Sequence, residues 1–381
     1  MAGESDHIVA ETAARIFADL ADPQSLTRAK DDRWRAPLWR ALEDAGLPLA
    51  WVPENLGGAG AGLADGFAIL SAAGRHALPV PLAETLAAGW LLAQAGIAAP
   101  AGPMTIAPVR PLDRIELNTH DTLSGRATGV PFAQEAAHIA LLALEGHEPA
   151  IALVKAEDCR IGEGRNLAGE PSNAVTFERV KPLRLAPLPP RFDRGTLLLM
   201  GAAIRSAQIA GALEATLALS VTYANERVAF ERHIGKFQAV QQNLARLAGE
   251  TAAALAVAGS AADTIARARE FDDAVLLETA SAKIRCAEAA TEGAAIAHQV
   301  FGAIGFTNEH ILHRFTLRML SWRDDFGNES WWAASSASTS RAAARKNSGL
   351  WWRRDDAAIR PHPFAGRMRG AAPRSARVSG R

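Results

Sequence analysis

The chain has 381 residues, with 41 Lys and Arg against 41 Asp and Glu, 49% hydrophobic and 22% charged residues. This is too apolar for a disordered or fibrous chain, and long enough for a large core shared by two or three domains. Zero formal net charge gives no field to draw in nucleic acid or an anionic membrane. No run approaches the roughly 18–20 unbroken apolar residues of a membrane span. The opening residues lack a signal-peptide plan and two cysteines, Cys159 and Cys286, cannot make a disulfide framework, so a cytoplasmic setting is the expectation.

Residues 8–96 read as helices. Trp34, Leu38, Leu42 and Ala45 make one apolar stripe, and Gly46 then stops that helix. Residues 53–60 are a glycine-rich loop, and helices resume at about 63–76 and 82–96. From about 104 to 190 the pattern shortens. Ile139, Leu141 and Ala143, then Ile151, Leu153 and Val154, form short apolar runs, and Val175 and Phe177 alternate with polar residues as in a strand. From Thr196 onward long segments dominated by Ala and Gly predict closely approaching helices, and Leu312, Phe315 and Met319 stripe one more. The expectation is an α+β chain: a helical domain over 1–103, a β-sheet domain over 104–192, and a helical bundle over 193–340. The remainder, 341–381, carries eleven Lys and Arg against two Asp, a net +9 that leaves the body at −9. Its Pro, Gly and Arg content and lack of apolar period predict a disordered tail.

Three stretches together resemble the acyl-CoA dehydrogenase family of flavoproteins. They are Trp51-Val52-Pro53-Glu54-Asn55-Leu56-Gly57-Gly58; Tyr223 to Phe230 running into Ile234 to Gln241; and His298 to Thr307, followed by the 312–319 helix and Gly327. The resemblance covers about residues 8–335 and implies an all-α N-terminal domain, a middle β-domain and a C-terminal four-helix bundle. It also implies FAD, an acyl-CoA substrate, an electron-transfer flavoprotein as acceptor and a tetramer or dimer of like or related subunits. Arg227 and Gln238, with Phe230 beside them, would meet the cofactor from one subunit. Gln299, Gly302 and Gly305 would meet it from a neighbour. Cationic and backbone N–H partners suit a diphosphate, and glycines let backbone approach phosphate oxygens. Taken singly, Arg227 reads as well as a surface charge, the glutamines as a polar helix face, and the glycines as cap and turn residues. The sequence departs from the family at Glu231, where a glycine is usual, and at His233, where a proline is usual. It also lacks the Thr-Glu-Pro and Gly-Ser-Asp segments that hold the flavin ring.

The family's α,β-dehydrogenation needs a carboxylate base in a dry site. The usual base position falls on Phe326 and the alternative one on Gly201, and neither takes a proton. Asp325, next door, is the candidate base, with Asp324 and Glu329 less well placed. Asp324 and Asp325 read as well as charges near the start of the next helix. His310 and His313 have helical spacing but no third ligand nearby, so no metal site is expected. Two functions follow. One is dehydrogenation by this chain through Asp325. The other is a non-catalytic subunit that lends FAD contacts to a partner bearing the carboxylate. An oxygen-using or nitroalkane-oxidising relative on the same fold is a more distant third.

Overall fold

Helix breakers set the first layer. In the computed structural model, which describes residues 5–118, 120–146, 148–190 and 192–338, five helices come first. They are α1 (Ser5–Leu20), α2 (Pro23–Arg28), α3 (Arg35–Asp44), α4 (Leu63–Arg75) and α5 (Leu82–Gln94). Leu38 and Leu42 of α3 are fully buried, and the chain turns at Gly46 with φ +69°. Every residue of α5 from Leu82 to Leu92 is buried, Glu84 among them.

Eight strands follow: β1 (Met104–Ala107), β2 (Arg114–Leu117), β3 (Leu123–Pro131), β4 (His138–Glu145), β5 (Glu148–Lys155), β6 (Arg160–Gly162), β7 (Ser172–Val180) and β8 (Arg184–Pro187). They form one sheet in the order β6-β7-β3-β2-β4-β5-β8, with β1 parallel to β4. The period-2 alternation explains how β4 serves two cores. Ile139, Leu141 and Ala143 point into the sheet's own apolar cluster, and Ala140 and Leu142 face the cluster shared with α5 and the bundle.

The bundle comprises α6 (Arg194–Glu226), a hairpin of β9 (Val228–Ala229) and β10 (Arg232–His233), α7 (Gln238–Arg267), α8 (Asp273–Phe301) and α9 (Leu312–Trp322). Residues 329–338 are again helical. Asp193 caps α6 by accepting from the Thr196 amide at 2.9 Å, and Asp272 caps α8. The small residues do what their size permits. A Cβ on Gly74 of α4 would lie 2.1 Å from the Gln208 carbonyl of α6, and one on Gly211 would lie 2.0 Å from the Ser71 carbonyl. The two helices therefore cross at a contact no larger residue allows. Leu312, Phe315 and Met319 of α9 are buried as their spacing requires. By length and composition α6 could cross a membrane, although no unbroken apolar run does so in the sequence; its apolar window is wholly buried in the protein. The basic tail from residue 341 lies outside the described residues.

Candidate active site and cofactor face

The segment after α9 is fixed from several sides. Lys283 of α8 is fully buried and donates from Nζ to the carbonyls of Trp322 at 2.8 Å and Arg323 at 2.6 Å, closing the C-terminal end of α9. Burial pulls its pKa down to about 8. Past that cap, Phe326 adopts φ +54° and Gly327 φ +96°. The Phe326 carbonyl accepts from the buried Trp332 indole N–H at 3.0 Å.

Asp325 lies between these anchors, and its Oδ2 accepts from Arg205 Nε at 3.0 Å. Arg205 is a mid-helix residue of α6 whose side chain is only 3% exposed; it also donates to Glu84 Oε1 at 2.8 Å and to Gln208 Oε1 at 2.6 Å. Glu84 is 4% exposed and Asp325 15%. Burial opposes the charge on Arg205, and the flanking Glu84 and Asp325 carboxylates overcome that and hold its pKa above the ordinary value. Burial pushes the Glu84 carboxyl up against the pull of Arg205. Asp324 and Glu329 flank Arg323 instead, at 3.5 and 3.8 Å.

The two positions that resemblance gives to a base touch each other. A Cβ on Gly201 would fall 2.2–2.5 Å from atoms of the Phe326 ring, so the ring lies directly on the glycine. Phe326 is 3% exposed, and the void left beside it between α5, β1 and α6 is about 10 Å³. That is room for about one water molecule and far too little for an acyl chain.

The residues expected at the cofactor stand elsewhere, at the far end of α6. Tyr223 of α6 stacks on Phe301 of α8 with ring centroids 4.3 Å apart, which brings the ends of the two helices together. Arg227, Gln238, Gln299 and Gly302 are all exposed there. No side-chain hydrogen bond or ion pair engages Arg227, Gln238 or Gln299 among the described residues. Phe230 is 90% exposed, with an edge toward Phe237, whose ring lies 4.0 Å from the Arg232 guanidinium carbon. The β9–β10 turn carries φ +52° at Phe230 and +65° at Glu231, the left-handed pair that a two-residue hairpin demands. Glu231 thus keeps the bend a glycine would make, at a backbone cost of about 1 kcal/mol. Gly302, with φ +64°, has open space where a Cβ would project. Gly305 differs: it is buried, and a Cβ would meet Phe301 at 2.9 Å and His298 at 3.3 Å, so here it is a packing residue. Exposed amides, an unpaired guanidinium and an open glycine fit an anionic diphosphate. They stand at the opposite end of α6 from the closed slot at Phe326.

The sequence reading missed Glu84 and Arg205, the residues that decide what Asp325 can do. Among the described residues no group of three His, Cys, Asp or Glu is placed to hold a metal ion. His310 Nδ1 accepts from the Leu312 amide at 3.1 Å and His313 bonds the His310 carbonyl, both local helix-start contacts.

Residues 3–99 match the profile of the acyl-CoA dehydrogenase N-terminal domain, and residues 195–327 match that of the acyl-CoA dehydrogenase C-terminal domain. Among relatives, the chain is 29% identical to the acyl-CoA dehydrogenase IpdE2 of Mycobacterium tuberculosis over 318 residues, 83% of this chain and 91% of that protein. Among solved structures it is similar to the Tcur3481-Tcur3483 steroid ACAD, with TM-score 0.78 and 25% identity over 90% of this chain and 100% of that one. The ChsE4-ChsE5 complex of Mycobacterium tuberculosis shares the fold, with TM-score 0.77 and 24% identity over 90% of this chain and 98% of that one.

Proposed function

Because the chain belongs to the acyl-CoA dehydrogenase family, FAD-binding oxidoreductases that act on the CH–CH bond of acyl-CoA thioesters, we propose that it is a non-catalytic subunit of a hetero-oligomeric member. It lends contacts to FAD while a related partner chain supplies the base. The observation that carries this reading is the Arg205 guanidinium on Asp325 Oδ2 at 3.0 Å. A base must reach a weakly acidic α C–H within contact distance. Asp325 is instead one wall of a buried ion cluster, and Phe326 and Gly201 carry no carboxyl at all.

When bound, FAD supplies the hydride acceptor. This chain's part is to hold it. Arg227 offers a charge-assisted bond to a phosphate oxygen, Gln238 and Gln299 offer amide donors, and Gly302 lets the backbone come close. The relative at 25% identity is named for two chains, Tcur3481-Tcur3483, which supports a paired assembly. The complex as a whole dehydrogenates an acyl-CoA and passes electrons to an electron-transfer flavoprotein. In the competing reading this chain does so alone through Asp325, which asks that carboxylate to leave Arg205 first.

Purification tests the difference. The chain expressed alone is expected to be colourless, and expressed with a sister chain bearing a glutamate at the position of Phe326 or Gly201 it is expected to be yellow. A yellow single chain bleached by an acyl-CoA would overturn the proposal.

A further inference from the structure

We infer that Phe326 and Gly201 are a matched plug and seat, which closes an apolar slot between α5 and α6 to the hydrocarbon end of an acyl group. This deepens the reading above by naming the residue that keeps this subunit's own site shut; the plug rests on packing alone.

Four observations converge on it. The ring lies where a Cβ on residue 201 would be, 2.2 Å from Cδ1, so only glycine permits this seat. The backbone of Phe326 is held at φ +54°, a region that a bulky residue enters only when its surroundings over-determine it. Those surroundings are present: the Trp332 indole holds the carbonyl at 3.0 Å, Lys283 holds the preceding turn, and Arg205 holds Asp325 while its guanidinium carbon lies 5.9 Å from the ring centre. The small void beside the ring is lined by Ala83, Ala87, Ile106 and Ile204 together with the paired Glu84 and Arg205, so the ring's surroundings on that side are largely apolar. With the ring in place about 10 Å³ remains. A phenyl-sized space with such walls is of the kind that takes up a small hydrocarbon when the plug is trimmed.

The probe is benzene, which needs neither FAD nor a partner chain. In saturating benzene, Phe326→Ala is expected to gain melting temperature and to show one bound molecule by ligand-observed NMR, whereas the wild-type chain shows neither. Equal uptake by both, or a folded Phe326→Ala that takes none, would overturn the plug. A double-mutant cycle keeps the inference testable should that variant unfold. Gly201→Ala forces its new methyl into the ring, so its destabilisation is expected to shrink in the Phe326→Leu background. Strictly additive melting shifts would show that ring and glycine do not meet. Flavin content of the co-expressed assembly is a separate readout, so failure of the plug and failure of the flavin-lending reading are distinguishable.

Discussion

The two ends of α6 are opposites. Near residue 205 the buried charged side chains have partners inside the protein: Arg205 has Glu84, Gln208 and Asp325, and Lys283 has two carbonyls. At the other end the side chains of Arg227, Gln238 and Gln299 have none among the described residues, and Phe230 stands 90% exposed beside them. Buried polar groups must be satisfied internally because leaving one unmade costs its full desolvation. Exposed groups carry no such demand and stay available to a ligand. On the proposed reading, the buried end of α6 serves as structure and the exposed end is left to receive the cofactor.

Breaking the satisfied end has the largest expected effect. Arg205→Leu strips the cation from the buried Glu84 and the part-buried Asp325 and is expected to lose about 3–5 kcal/mol of stability, read from urea unfolding. A loss under about 1 kcal/mol would mean the cluster is not closed as described.

Lys283 sharpens the same end through pH. Its pKa is about 8 in the folded protein, against 10.5 ordinarily. Between those values the unfolded chain holds a proton the folded chain has released, so this residue makes stability rise as pH climbs from about 8 to 10.5. Lys283→Met is expected to flatten that rise relative to the wild type in unfolding curves taken across the window. Identical slopes would remove Lys283 as its source.

At the free end the expectation reverses. Arg227→Ala is expected to change stability by less than about 0.5 kcal/mol, as an exposed unpaired side chain should. In the co-expressed assembly it is expected to weaken FAD retention about 10- to 100-fold, the value of one charge-assisted bond to phosphate. Unchanged flavin retention would detach Arg227 from the cofactor. An effect on stability alone is expected for Trp332→Phe, which keeps an aromatic ring and deletes the hydrogen bond to the Phe326 carbonyl. It is expected to cost about 1 kcal/mol and to leave flavin content alone.

Much of the fold was legible because it rests on local periodicity. The stripe of Leu312, Phe315 and Met319 and the alternation of Val175 and Phe177 need only the 3.6- and 2-residue repeats to be read. The Ala and Gly content of α6 and α8 likewise announced close helix packing. The site was less legible because it is made by contacts distant in sequence. Glu84 and Arg205 are 121 positions apart, and Gly201 meets a ring 125 residues on, at Phe326. A signal was nonetheless present. Glu84 interrupts the apolar run from Leu82 to Leu92, and Arg205 interrupts that from Leu197 to Leu213. A charge inside a stretch that must be buried needs a counter-charge, and the two interruptions answer each other. Gly305 adds a second demand: a glycine that looks like part of a phosphate turn is also required by packing against Phe301, Leu312 and His298.

The sharpest measurement is stopped-flow reduction of the flavin by acyl-CoA in the co-expressed assembly carrying Asp325→Asn. The account predicts bleaching at the wild-type rate with the wild-type flavin content, because Asp325 holds Arg205 and takes no proton. A flavin that stays bound but is no longer bleached would contradict it and return the base to this chain.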